Sequence, residues 1–182
     1  CLSYAQDSMK RRDLIALAAA QAWPMAQAAT PGEVPTGQPL REALLQGLNG
    51  PARKLSSYRG KPLVINVWAS WCGPCRAEMG SLERLAWGEL APHIAVIGIS
   101  TDDYVDRAMG FLRHSNATIN HYLDRQLEME NMLGATHLPL TVLVDAKGVV
   151  REKVAGAQAW DGPEARRLIE RSFGLGKAVR RL

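Results

Sequence analysis

The stretch VINVWASWCGPCRAE, residues 64–78, carries the two features that decide the fold and the chemistry of this chain. An apolar run leads directly into Cys72 and Cys75, which are separated only by Gly73 and Pro74. Two cysteines at this spacing suit three chemistries: half of a zinc site, a structural crosslink, or a thiol pair that cycles between oxidised and reduced states. The surrounding sequence has to discriminate among these three.

The composition indicates an ordinary globular protein. The chain has 182 residues, of which 47% are hydrophobic and 22% are charged, so a core of useful size forms without disulfide stapling. The net charge of +4 is spread thinly, and the densest basic cluster beyond the N-terminus is Lys177, Arg180 and Arg181. No basic stretch is interleaved with aromatic residues, and we therefore expect no nucleic-acid partner.

The N-terminal segment has the pattern of an export signal. Met9 is followed by the basic residues 10–12, then by an apolar run within 14–29 that ends in Ala-Gln-Ala at 26–28. This order predicts an N-terminal extension and secretory signal over 1–28, cleaved after Ala28, and a periplasmic mature protein. An uncleaved membrane anchor and twin-arginine export are the alternatives. Cysteines in such an oxidising compartment meet oxidants.

The remaining chain alternates between strand and helix patterns after a Pro- and Gly-rich linker at 29–39. Asp102 or Asp103 is expected to cap the helix after the second strand, and Asp161 the last helix. The pattern predicts an α/β domain over 40–182, with a mixed central sheet flanked by helices on both faces. The expected strands are 63–69, 94–100, 119–124, 140–145 and 149–156, and the expected helices are 40–48, 74–87, 105–112, 126–133 and 163–173.

The position of the cysteines predicts different roles for them. A thiolate is the reactive form, and the N–H groups at a helix N-terminus favour it. Cys72 lies where the strand gives way to a helix, and Pro74 suits the first helical turn. Cys75 shares the apolar face of that helix with Met79 and Leu82. We therefore expect Cys72 to be an exposed nucleophile and Cys75 a shielded thiol that resolves the mixed disulfide.

The two competing chemistries fit less well. A zinc site needs a second pair of Cys or His ligands, and the histidines at positions 93, 114, 121 and 137 are scattered singly. A crosslink between residues three apart closes too small a loop to stabilise the fold much. The sequence therefore favours redox cycling, which needs neither a metal nor another cofactor.

Three motifs resemble those of a known family: NVWASWCGPCRAEM at 66–79, GISTDD at 98–103 and LPLTVLVDAKG at 138–148. Over residues 40–173 the chain resembles the thioredoxin superfamily, and more closely its exported TlpA- and ResA-like thiol-disulfide oxidoreductases. The resemblance implies a thioredoxin-like fold with the helix-strand insert of the TlpA branch at 102–124. In that branch the insert helps to shape the substrate face.

The resemblance also implies roles around the second cysteine. Asn66 stands where cytosolic thioredoxin has a buried aspartate, which fits the exported branch. Glu78 matches the active-site glutamate of ResA-like proteins, and one turn beyond Cys75 it would act as that cysteine's acid/base partner. The alternative, an ordinary glutamate favoured by the helix dipole, stays open here.

A substrate-binding surface follows from the same family match. Pro139 corresponds to the cis-proline opposite the cysteines, and Leu138 would offer its backbone to an extended substrate. Trp71, Gly73 and Pro74 complete this expected surface around the nucleophile. Trp68, inside the strand, is expected in the core.

The expected activity is that of a periplasmic thiol-disulfide oxidoreductase that reduces protein disulfides. A Gly-Pro dipeptide between the cysteines is that of thioredoxin, a reductant whose reduction potential is about −270 mV. In the family a membrane electron donor of the DsbD/CcdA type re-reduces the pair, and cytochrome c maturation is one role. Leu140-Thr141 departs from the Glu-Thr of the cytochrome-maturation members, which weakens a dedicated apocytochrome role.

A copper-binding chaperone of the Sco type is the alternative function. Such proteins share the fold and bind copper through two cysteines and a histidine, and His137 keeps this hypothesis open. They carry Cys-x-x-x-Cys, however, whereas this chain has one residue fewer between its cysteines.

Overall fold

The structure, a computed structural model, describes residues 30–177. Two 3₁₀ turns, Leu55–Tyr58 and Leu175–Lys177, accompany the strands and helices of this part. In chain order, the elements are β1 (Leu44–Gly47), β2 (Arg53–Lys54), β3 (Leu63–Trp68), α1 (Gly73–Trp87), β4 (Ala95–Ser100), α2 (Val105–His114), β5 (Asn120–Leu123), α3 (Glu128–Leu133), β6 (Leu140–Val144), β7 (Val150–Ala155) and α4 (Pro163–Phe173).

Within the described residues, seven strands form one sheet in the order β2-β1-β5-β4-β3-β6-β7. Strand β4 pairs in parallel with both β3 and β5. Strands β6 and β7 add antiparallel on one side, and β1 and β2 on the other. The predicted mixed sheet is confirmed, and its three parallel strands end together at one edge, where the cysteines follow β3.

Strand β3 is central because its residues are apolar on both faces. All six are buried, as expected for a strand covered on both sides. Leu63, Ile65 and Val67 join one apolar cluster, which includes residues of α3, whereas Val64 and Trp68 join a second cluster with residues of α1, α2 and α4. Helices therefore cover both faces of the sheet, as the alternation of elements predicts.

The helix expected at 40–48 is wrong, because Leu44–Gly47 forms strand β1. It runs antiparallel to β5, with Gln46 opposite Leu123. Leu45 is buried while Leu44 and Gln46 are exposed, which is the period of two of a strand. A short apolar run fits both the helical period of about 3.6 and the strand period of about two. The free edge of β5 favours the strand, because β1 can form backbone hydrogen bonds with it.

Both predicted aspartate caps are also wrong. Helix α2 begins after Tyr104, whose side chain makes no capping bond, and α4 begins after Gly162. Asp161 instead pairs with Arg84 at 2.6 Å. The carboxylate of Asp102 accepts hydrogen bonds from serine side chains of neighbouring segments. In both cases tertiary partners outcompete the local backbone N–H groups.

The predicted secretory signal at 1–28 lies outside the described residues. Residues 30–39, whose composition indicates a linker, lie against the domain: Val34 is buried and its N–H donates to the carbonyl of Met132. The domain boundaries stay predictions. In the described part of the chain, no helix has the length and apolar character that a bilayer crossing requires.

We predict that Gly98→Ala destabilises the fold, because a Cβ there would lie 2.1 Å from His121 Nδ1 and 2.9 Å from Trp68 Nε1. These two atoms form a buried hydrogen bond of 3.1 Å between β3 and β5. Overpacking of this kind lowers the free energy of unfolding by about 1–3 kcal/mol, which urea denaturation measures.

Gly110→Ala in α2 is the matched control, since the nearest atom to its Cβ would be 3.9 Å away. The helix propensity of alanine should leave this variant unchanged or more stable, by at most about 1 kcal/mol. Equal stability of the two variants would contradict the close approach of Gly98 to His121.

Candidate active site

The cysteine pair lies at the junction of β3 and α1. After Trp68 the chain makes a tight turn, in which the N–H of Cys72 donates to the carbonyl of Ala69 at 3.1 Å. Cys72 is the N-cap of α1, and its Sγ accepts a hydrogen bond from the N–H of Cys75 at 3.2 Å. Pro74 occupies the first helical turn, where a missing N–H costs nothing. The predicted placement of a sulfur at a helix N-terminus is confirmed, and such a site favours a thiolate.

Cys72 and Cys75 form a disulfide with an S–S distance of 2.01 Å and a Cα–Cα distance of 5.3 Å. Cys72 is only 5% exposed in this form and Cys75 is fully buried. The expectation of an exposed Cys72 is therefore wrong for the disulfide form, because both sulfurs belong to the apolar cluster on the α1 face, against which Leu138 packs. The expectation of a shielded Cys75 is confirmed.

The other residues predicted for substrate binding surround this pair. Trp71 is 68% exposed, and Gly73 and Pro74 are also exposed. The Leu138–Pro139 peptide bond is cis, which confirms the expectation drawn from the resemblance. Strand β6 begins directly after Pro139 and runs antiparallel to β3. This pairing places the cis-proline segment beside the C-terminal end of β3, where the cysteines follow.

Glu78 lies in the core, 3% exposed, and its carboxylate is fully engaged. Oε1 accepts from Asn66 Nδ2 at 2.7 Å, and Oε2 accepts from Trp160 Nε1 and from the N–H of Gln158, both at 3.0 Å. Asn66 Nδ2 also donates to Thr141 Oγ1 at 3.0 Å. Glu78 is thus not exposed at the helix surface, and its carboxylate joins β3, α1 and the segment before α4.

Burial dominates the electrostatics of Glu78. Desolvation raises the pKa of this carboxyl, and the hydrogen bonds from Gln158, Asn66 and Trp160 oppose that shift. Within residues 30–177, Glu78 takes part in no ion pair that would stabilise its charge. A buried carboxyl with a raised pKa, one helical turn from a thiol, is suited to hold and release a proton.

Sequence reasoning missed Trp160, Gln158 and Thr141 as partners of Glu78. Trp160 is fully buried although it follows a strand end in the segment GAQAWDG at 156–162. A single bulky apolar residue in a small and polar loop was the available signal. Its partner, some eighty residues earlier in the chain, could not be identified from spacing.

The histidine that keeps the copper hypothesis open is exposed. His137 Nδ1 lies 3.2 Å from the hydroxyl of Thr136, its neighbour in the chain. Across the part of the chain that the structure describes, no group of three or more His, Cys, Asp or Glu side chains is arranged to hold a metal ion. The copper-chaperone alternative stays a prediction.

Comparison with known proteins extends these observations. The sequence profile of the Redoxin family matches residues 31–169. Thiol:disulfide interchange protein DsbE of Escherichia coli (strain K12) is 32% identical over 169 residues, which cover 81% of this chain and 87% of that protein. Thiol-disulfide oxidoreductase ResA of Geobacillus thermodenitrificans is 28% identical over 123 residues, covering 68% and 71% of the two chains.

The fold has close counterparts among solved structures. The thioredoxin domain of a thiol-disulfide oxidoreductase from Bacteroides vulgatus superposes with a TM-score of 0.64 at 19% identity, covering 75% of this chain and 99% of that one. This likeness confirms the expected thioredoxin-like fold. The chain therefore belongs to the Redoxin family and is a thiol-disulfide oxidoreductase of the DsbE and ResA type, with Cys72 and Cys75 as its Cys-x-x-Cys pair.

Proposed function

We propose that this protein is a periplasmic reductase of protein disulfides, in which Cys72 attacks the substrate and Cys75 resolves the mixed disulfide. The observation that carries the proposal is the hydrogen bond from the N–H of Cys75 to Cys72 Sγ at the start of α1, with Cys75 buried behind it. This arrangement favours the thiolate at the first cysteine only, and so gives the pair a direction of attack.

The proposed reaction begins with the reduced pair. The Cys72 thiolate forms a bond to one sulfur of the substrate disulfide, and the substrate S–S bond breaks, so that the second substrate sulfur leaves as a thiolate and takes a proton. Cys75 then loses its proton and attacks Cys72 Sγ, which releases the first substrate sulfur. Two electrons have moved to the substrate, and the enzyme is left with the Cys72–Cys75 disulfide of this structure.

Glu78 is the proposed proton acceptor for Cys75. The two residues lie one turn apart on the buried face of α1. The raised pKa of Glu78 brings its proton affinity closer to that of a thiol, which makes transfer between them less uphill. Asn66 and Trp160 hold the carboxylate in place for this step.

The substrate surface proposed here is the exposed rim of the pair. Trp71, Gly73 and Pro74 face solvent beside Cys72, and the backbone of Leu138 is available for pairing with an extended segment of the substrate. Each turnover leaves a disulfide, so the enzyme needs a two-electron donor. In an oxidising compartment we propose a membrane protein of the DsbD/CcdA type for this role.

The first prediction concerns the reduction potential. Titration against glutathione buffers, followed by Trp fluorescence, should give one two-electron transition well below the value of about −120 mV of the oxidant DsbA. Cys1 is the third cysteine of the full chain, so all proteins carry Cys1→Ser and only the pair titrates. Cys72→Ser should abolish the transition. A potential in the DsbA range would overturn the reductase direction, and copper binding without a transition would favour the Sco-type chaperone.

The second prediction concerns the resolving step. Glu78→Gln should slow the turnover of a protein disulfide by about 10²-fold, because the buried thiol loses its base. The mixed disulfide with Cys72 should then accumulate and be visible by non-reducing electrophoresis and mass spectrometry. Glu89→Gln, which changes an exposed carboxylate just beyond α1, is the control. Wild-type turnover in Glu78→Gln would remove Glu78 from the mechanism.

The third prediction concerns pH and stability. Because the pKa of Glu78 is raised in the fold above its ordinary value of 4.5, ionisation destabilises the native state as pH rises through the folded pKa. Glu78→Gln removes that charge, and Asn66 Oδ1, which is buried and has no hydrogen-bond partner among residues 30–177, can turn to accept from the new amide. The variant should therefore gain stability relative to wild type between pH 5 and pH 8.

Urea denaturation across this pH range measures the difference. Well below the ordinary pKa of 4.5, Glu78 is protonated in both the folded and the unfolded state, so the difference between the two proteins should be constant there. A difference that falls as pH rises would show that the carboxylate is stabilised by its hydrogen bonds more than burial destabilises it.

A further inference from the structure

Asp102 is a buried carboxylate that the reaction described above does not use. It lies just beyond the C-terminal end of β4, and it is 1% exposed. Its Oδ2 accepts from the N–H of Ser70 and from the hydroxyl of Ser100, both at 2.8 Å, and its Oδ1 accepts from the hydroxyl of Ser70 at 2.6 Å. None of the ion pairs of the described residues involves it. Such a charge is tolerated inside a protein only because several donors converge on it.

These bonds hold the turn that presents the nucleophile. Ser70 is two residues before Cys72, between the end of β3 and the start of α1. The N–H of Thr101 donates to the carbonyl of Trp68 at 3.0 Å, which fixes the start of the same turn. The Asp102 carboxylate thus ties both the backbone and the side chain of Ser70 to the neighbouring strand.

The importance of the hydrogen bonds between Asp102 and Ser70 depends on the redox state of the cysteine pair. In the oxidised protein the S–S bond itself holds Cys72 against Cys75. When the bond is reduced, that covalent restraint is lost, and the position of Cys72 Sγ depends on the turn that carries it. The hydrogen bond from the N–H of Cys75, which favours the thiolate, then survives only if the turn keeps its direction.

We propose that Asp102 is a positioning residue for the thiol chemistry: by holding Ser70, it keeps Cys72 Sγ at the N-terminus of α1 when the disulfide is open. The inference rests on the proposed role of Cys72 as the nucleophile. It also explains why Asp102 does not cap α2, the role that the sequence predicts for it, since its acceptor oxygens are occupied by Ser70 and Ser100.

The test is the rate at which iodoacetamide alkylates the reduced protein between pH 5 and pH 9, in a Cys1→Ser background. Ser70→Ala is the main variant, because it removes one hydrogen bond to Asp102 and changes no charge. The charged or titratable side chains on the segments around the pair include Arg76, Glu78, Glu83 and Arg84 on α1, Asp102 and Asp103 after β4, and His137 before the cis-proline. All of these side chains remain in Ser70→Ala. A shift in the pH dependence of its alkylation therefore reports a change in the turn that positions Cys72.

We expect Ser70→Ala to be alkylated more slowly at neutral pH, with its midpoint moved to higher pH. Asp102→Asn should be slowed more, by about tenfold, because an amide nitrogen cannot accept from the donors that the carboxylate served. The double variant should be no slower than Asp102→Asn, since both changes act through one contact. Asp103→Asn removes an exposed charge at the next position and should match wild type.

Two outcomes would overturn the inference. Wild-type rates and midpoints in both variants, with only a lower urea midpoint, would show that Asp102 serves stability alone. Faster alkylation of Asp102→Asn with an unchanged Ser70→Ala would show that its charge acts on the thiolate and its hydrogen bonds do not. Peptide mapping of the wild type tests the nucleophile separately, because labelling at Cys75 in place of Cys72 would refute the proposed function whatever the variants do.

Discussion

Burial of β3 on both faces is the constraint on which the rest of this molecule depends. A strand with apolar side chains on both sides requires cover from both sides, and the helices α1 and α3 supply it with their own apolar faces. The one polar side chain of β3, Asn66, is then buried as well and must find partners inside the protein. Glu78 and Thr141 meet this need for its amide nitrogen, so that the packing of the sheet and the chemistry beside the cysteines are parts of one arrangement.

The position of the cysteines follows from the same strand. Because β3 ends in the middle of the sheet, the turn after it is enclosed by the ends of β4 on one side and the start of β6 on the other. The first side contributes Asp102, which bonds Ser70, and the second contributes the cis peptide before Leu140. Cys72 therefore lies at a helix N-terminus that has the end of β4 on one side and the start of β6 on the other.

The two buried carboxylates near the cysteine pair are stabilised by hydrogen bonds that compensate for their burial. Glu78 and Asp102 are both buried carboxylates, and each accepts three hydrogen bonds. They differ in their neighbours: Glu78 follows Cys75 on the same helix, whereas Asp102 bonds Ser70 in the turn before Cys72. Glu78 is therefore suited to accept and release a proton, and Asp102 is suited to hold the geometry of the turn.

The sequence by itself determined the strand-helix order from 63 onward, the mixed sheet, the redox pair and the family, because these depend on local periodicity, on the spacing of Cys72 and Cys75 and on contiguous motifs. Only the tertiary structure decided that 44–47 is a strand, since a short apolar run can form either a helix or a strand and here it pairs with the edge of β5. It also decided the partners of Asp102, Asp161 and Glu78. A carboxylate bonds whichever donors the fold brings nearest, and those donors, such as Trp160, come from distant parts of the chain.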